Sequence, residues 1–240
     1  MSFSDVNSPP DGAAWDCLEG TIQEIRPLQP IRKIVVKGPI DVVFRRTDTP
    51  TLIVASETAE AVASVKTDYK GDKLVIEREG LSISFGGSLM VFHGTVGSVV
   101  MGDLVNGKPT GPAVSLRQPR AVVGIALPAC PAIKIKGSGD VTLPDLQQAA
   151  LDLEIQGSGD ITTSGEVAHL NVQVTGSGDV DARELIAELA TLSVTGSGDI
   201  DAFVQSEVRA RVTGSGDIVV RGNPPCRDDR VTGSGKIKFR

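Results

Sequence analysis

The tetrapeptide Gly-Ser-Gly-Asp recurs five times in the second half of the chain, ending at Asp140, Asp160, Asp179, Asp199 and Asp217, and a sixth copy ends in Lys236 instead. Successive copies start 20, 19, 20, 18 and 19 residues apart. A near-fixed period of this length marks a solenoid, in which each repeat supplies one winding and buries its apolar face only against its neighbours. Ahead of the corners, Leu151, Leu153 and Ile155 alternate with Asp152, Glu154 and Gln156, and Leu170, Val172 and Val174 repeat the pattern one winding later. Period-two alternation is that of a strand with one buried face. Ile155 and Ile161 stand six positions apart across the corner, an even separation that returns the side chain to the same face of extended chain. The pattern therefore predicts an all-β parallel β-helix, with Val141, Ile161, Val180, Ile200, Ile218 and Ile237 stacked in one internal column.

The glycine pairs Gly137 and Gly139, Gly157 and Gly159, Gly176 and Gly178, Gly196 and Gly198, Gly214 and Gly216, and Gly233 and Gly235 suit a corner. There the backbone either takes a positive φ or approaches the next winding closely. Five aspartates at the ~4.8 Å spacing of paired strands repel one another, so each needs a backbone N–H, a serine hydroxyl or a cation. A cation ladder through Asp140, Asp160, Asp179, Asp199 and Asp217 is the second reading of the motif. Calcium-binding solenoids, however, supply several oxygen ligands from nine-residue units, against one aspartate per winding here. Lys236 reads as a cap that ends the acidic column with a counter-charge. Residues 144–150, 164–169, 183–190 and 203–207 differ in length and chemistry and read as variable loops. Within them 183–190 is expected to form a bulged side, with Leu185 and Leu189 tucked in.

Residues 28–80 read as atypical N-terminal coils that cover the open end of the solenoid. They hold a degenerate corner, Gly38-Pro39-Ile40-Asp41, strand candidates at 34–36, 52–54 and 74–76, and a helical turn at 58–65. Residues 1–27 lack periodicity and read as a tail anchored by Trp15. The regular windings run from 121 to 240, giving a single domain over 28–240. Between the halves, 85–119 is a glycine-rich insertion with an Asn106-Gly107 hairpin signal. Its apolar residues Leu89, Met90, Val91 and Phe92 suit a partner contact. The insertion either covers the solenoid, meets another subunit or acts as a lid.

Composition narrows the functions. A net charge of −6 with no run of like charge argues against nucleic acid as partner. Aromatic residues are 3% of the chain, too few for a stacking platform for sugars or bases. Cys17, Cys130 and Cys226 follow no zinc spacing and fit either one disulfide plus a free thiol or three buried thiols. His93 and His169 are isolated and read as surface or packed residues. A solenoid enzyme acting on acidic polysaccharides needs acids and bases clustered on one face. Outward Asp152 and Glu154 are followed in later windings by Asn171 and Gln173, then Ser193, then Arg209 and Arg211, so no cluster persists. The reading is therefore of a protein with no catalytic residue, no metal and no cofactor. No apolar run reaches the ~20 residues of a membrane span. Residues 1–11 carry no basic cluster followed by an apolar stretch, which leaves a cytoplasmic protein or one whose leader has been removed.

The order of 31–43, Leu74-Val75-Ile76, Ile125-Ala126-Leu127-Pro128 and Ile133 to Asp140 with its repeats resembles the head GIN domain family of bacterial auto-transporter adhesins. The resemblance spans roughly residues 28–240. It implies a right-handed parallel β-solenoid in the cell envelope or outside it, without catalytic residues. The expected function is a binding or adhesion module that presents solenoid loops to a protein or surface partner. A homo-oligomer or filament of the envelope is the alternative, and a polysaccharide-active enzyme the second.

Overall fold

The computed structural model describes residues 21–78 and 119–240 throughout and, between them, the backbone of short strands from 81 to 115. The first elements are β1 (Ile22–Arg26), β2 (Lys33–Lys37), β3 (Asp41–Arg46), β4 (Thr51–Ser56), α1 (Ala59–Ser64), β5 (Val65–Lys70) and β6 (Lys73–Arg78). The insertion holds β7 (Leu81–Phe85), β8 (Ser88–Phe92), β9 (Ser98–Val100), β10 (Leu104–Val105), β11 (Lys108–Pro109) and β12 (Ala113–Ser115). Then come β13 (Ala121–Leu127), β14 (Ala132–Gly137), β15 (Val141–Gly157), β16 (Ile161–Gly176), β17 (Val180–Gly196), β18 (Ile200–Gly214), β19 (Asp217–Arg221), β20 (Cys226–Gly233) and β21 (Lys236–Phe239).

The chain is a β-solenoid. From β14 onward every winding pairs parallel with the next, and the register carries Val141 onto Ile161, Val180, Ile200, Ile218 and Ile237. A second internal column runs Ile133, Leu153, Val172, Leu192, Ala210. The members of both columns from Ile133 to Ile218 are almost wholly buried, and they belong to one continuous core. That continuity is why no winding is stable alone: each shows half of its apolar surface to the winding above and half to the one below.

The segments read as loops are strands. β15, β16, β17 and β18 run unbroken between corners for 17, 16, 17 and 15 residues, so 144–150 and its counterparts form a third paired side. Pro144, Gly165 and the helix-like 183–190 conceal this side in the sequence. Hydrogen bonds from neighbouring windings override those local preferences. Differences in length are taken up by register shifts at 143/146, 162/164, 182/186 and 187/189. Leu185 is buried and Leu189 partly so, and Ala187 is buried beside them.

The N-terminal end departs from simple coils. β6 lies parallel to β2 and β13 parallel to β3, so β6 and β13 form the first winding of the stack. Beyond it the chain reverses: β4 runs antiparallel to β13, β5 to β6 and β1 to β4. Residues 22–26, expected in the tail, are thus an edge strand of the main sheet. α1 links β4 to β5, with the Thr58 hydroxyl accepting from the Ala61 N–H at 3.2 Å, and it tucks Ala61 and Val62 inward. The Arg26 guanidinium closes the far end of this helix on the carbonyls of Val62 and Val65, at 3.2 and 2.6 Å. In the insertion, β10 and β11 pair antiparallel across positions 106–107, and β7 pairs with β8. Asn106, Gly107, His93, Trp15 and Cys17, like the side chains of Leu89, Met90, Val91 and Phe92, lie outside the described residues.

Candidate functional site

The corners form one straight file. In the five from Gly157 onward, two successive amides reach back to one carbonyl of the previous winding: Ser177 and Gly178 donate to the Gly157 oxygen at 2.9 and 3.2 Å. The first glycine of each pair holds a positive φ, 129° at Gly176. The second does not, and is required by proximity alone. A Cβ on Gly178 would overlap the Gly159 carbonyl oxygen and stand 2.9 Å from Ile155 Cγ2. Ile40 plays the part of the second glycine in the degenerate corner, and its carbonyl occupies the space that a Cβ on Gly139 would take.

The aspartates answer a specific need of this geometry. The amide of each corner aspartate donates to the carboxylate one winding back: Asp140 to Asp41 (3.3 Å), Asp160 to Asp140 (3.2 Å), Asp179 to Asp160 (2.8 Å), Asp199 to Asp179 (2.8 Å) and Asp217 to Asp199 (2.7 Å). The Lys236 amide closes the series on Asp217 at 2.8 Å. One carboxylate oxygen per winding therefore satisfies a backbone donor that the strand ladder leaves unpaired at the bend. Both ends of the file meet a cation. Arg120 pairs with Asp41 at 3.2 Å, and the Lys238 ammonium lies 2.8 Å from Asp217. The Lys238 hydrogen bond, foremost, holds the Asp217 carboxyl below its ordinary range. The ammonium in contact with Asp217 is thus that of Lys238, whereas Lys236 contributes its amide; the two residues lie an even step apart on one face, and the second has the reach. Among the described residues, no group of three or more His, Cys, Asp or Glu side chains is placed to hold a metal ion.

An Asp179→Ala variant is expected to lose about 1–3 kcal/mol in urea unfolding, because the Asp199 amide is left without its acceptor. Asp179→Asn keeps an acceptor oxygen and should lose much less. A cation ladder predicts no such gap, with Asn nearly as damaging as Ala and calcium stabilising the native chain.

Two shallow hollows, of about 360 and 350 Å³, adjoin on the third side and its rim. Glu166, Ile186 and Glu188 line the first, and His169, Asn171 and Glu207 the second. Among the described residues no hydrogen bond joins a hydroxyl or thiol to a histidine or carboxylate in either hollow, although Thr191 and His169 both line the second. Outward Asp152 lies in register with Asn171, then Thr191, then Arg209, so acids do not repeat along the face. Burial would raise the Glu154 carboxyl, but Lys134 at 2.5 Å and Lys33 at 3.4 Å outweigh it and hold the group low.

Cys130 and Cys226 are both free. Burial pushes the Cys130 thiol up to about 12, whereas Cys226 is exposed on the last winding. In a Cys17→Ser background, a disulfide reagent at neutral pH should titrate one thiol at once and the second only on unfolding. Two fast thiols would show that the Cys130 site opens.

Residues 114–224 match the family described as "Putative auto-transporter adhesin, head GIN domain". No curated protein matches the chain closely enough to count as a relative. Among solved structures, a putative adhesin from Bacteroides fragilis is similar at 19% identity and a TM-score of 0.61, covering 92% of this chain and 98% of that one. A putative adhesin from Parabacteroides distasonis is similar at 17% identity and a TM-score of 0.50, covering 93% and 98%. Likeness at these identities is one of fold. Over residues 114–224, which hold five of the six serine-glycine corners, the chain is similar to the head GIN domain.

Proposed function

We propose that the chain is a non-enzymatic adhesion module of the bacterial cell envelope or exterior, and that it meets its partner through the outer faces of its paired strands. The observation that carries this reading is the use made of the aspartate file. The most regularly repeated acidic groups of the chain are spent on backbone amides, and among the described residues the outer faces hydrogen-bond no hydroxyl or thiol to a histidine or carboxylate. Paired strands replace the loops expected from the sequence, so the presented side chains stand on hydrogen-bonded backbone. A rigid module does not have to order its contact residues on binding.

The terminal winding supports a single module over a filament. β20 places Arg227 and Asp229 in register with buried Val208 and Ala210, and Arg227 lies 4.3 Å over the Phe239 ring. Charges on those inward positions oppose the docking of another winding. Among the described residues no helix is long and apolar enough to cross a membrane.

The test is saturable binding of the fluorescently labelled chain to intact bacterial cells, together with an assay for chain cleavage of uronic-acid polymers. Saturable binding without cleavage is expected. Cleavage that tracks the protein, or no binding to any cell, would overturn the reading.

A further inference from the structure

One strand face of the solenoid is basic although the chain as a whole carries −6. It consists of the outward positions of eight rungs paired in sequence: β6, β2, β14, the corner-approaching parts of β15, β16, β17 and β18, and β20. At ~4.8 Å per rung the face is about 34 Å long. At one end stand Lys33, Lys37, Lys73, Lys134 and Lys136, and at the other Arg209, Arg211 and Arg230. Against these eight cations the same positions hold four acids, Glu77, Asp152, Glu154 and Asp228, a net of plus four.

Four of these cations are neutralised locally in whole or part, Arg209 by Glu207 at 3.2 Å. Glu154 takes Lys33 and Lys134, and Glu77 takes Lys37 at 3.1 Å. Arg211 and Arg230 lie directly in register on adjacent rungs, and both are exposed. Like charges so placed repel, which an anion between them would relieve. Neither has an ion-pair partner among the described residues, and the same holds for Lys73 and Lys136. Between the two basic ends the rungs carry Gln156, Asn171, Gln173, Thr175, Thr191 and Thr195, side chains that hydrogen-bond neutral hydroxyl groups, beside Asp152, which accepts from Asn171, and the lysine-paired Glu154.

We infer that this face binds an acidic polysaccharide laid along the solenoid axis, its carboxylates or sulfates at the two basic ends and its hydroxyls over the amide and threonine middle. The inference rests on the adhesion reading and gives it a partner class. The face offers no aromatic residue on which bases could stack. It also offers no large apolar residue for insertion into lipid, since its outward valines, Val35 and Val75, are 9% and 7% exposed.

The experiment is affinity electrophoresis of the full chain through gels containing polygalacturonate or heparin, with dextran as the neutral polymer, at low and moderate salt. Retardation by the two acidic polymers at low salt, weakened by added salt, is expected. The variant Lys73→Gln/Lys136→Gln/Arg211→Gln/Arg230→Gln should bind roughly tenfold more weakly or worse. Arg46→Gln/Arg240→Gln, which removes two cations from other surfaces, should bind as the native chain does. The assignment falls if neither acidic polymer retards the native chain, or if the quadruple variant binds equally well. It also falls if duplex DNA or phosphatidylglycerol vesicles compete more strongly than the polysaccharides. Saturable binding to cells that survives a failure with acidic polymers would leave adhesion standing and overturn the face alone.

Discussion

Gly178→Ala is expected to cost at least about 3 kcal/mol, and more if the stack cannot part, because the added methyl overlaps a backbone oxygen of the neighbouring winding. Backbone cannot turn aside as the end of a side chain can. The neighbour is itself tied to the winding below it, so relief at one corner would strain the rest of the file. Ser177→Ala, one position away and exposed, should change stability by less than about 0.5 kcal/mol. Equilibrium unfolding in urea of the two variants measures the contrast directly. Equal, small effects would mean that the windings are looser at their corners than the structure has them.

Deletion of residues 161–179 should leave a folded, cooperatively unfolding chain, whereas deletion of 161–170 should abolish the transition. The first joins Asp160 to Val180 and removes one full winding, so the inward columns close up as Leu153 on Leu192 and Ile155 on Val194. Its cost should be near the share of one winding, about 1–3 kcal/mol. The second brings the next corner forward by ten residues, out of the file, and faces Ile155 with chain that has no matching inward residue. Circular dichroism with urea unfolding separates the outcomes. A molten product from the whole-winding deletion would contradict nearest-neighbour stacking.

The columns and corners could be read from the sequence because two periods coincide there: alternation of two along a strand and a repeat near nineteen along the chain. Ile155 and Ile161 keep their face across the bend for that reason. The third side could not be read. Asp145, at φ 52°, and Gly165, at φ 119°, sit at register shifts that break the alternation, and its strand character comes from neighbours far along the chain. The reversal of β4, β5 and β1 at the N-terminal end has no repeat to announce it. The basic face was hidden differently. Its charges alternate with buried residues, so no run of like charge exists in the sequence, and Arg211 and Arg230 become neighbours only when the windings stack. The aspartate file was half visible: its alignment followed from the period, but the choice of the backbone amide as its partner required the bend itself.

Each corner carboxylate takes its proton donor from the winding that follows, so the file has a direction as well as a length. A newly added turn would find an acceptor already waiting for it and would in turn offer one to its successor. The length of the solenoid could therefore be adjusted in whole increments by gene duplication, with Arg120 and Lys238 kept as the fixed bookends and no redesign of the interior between them.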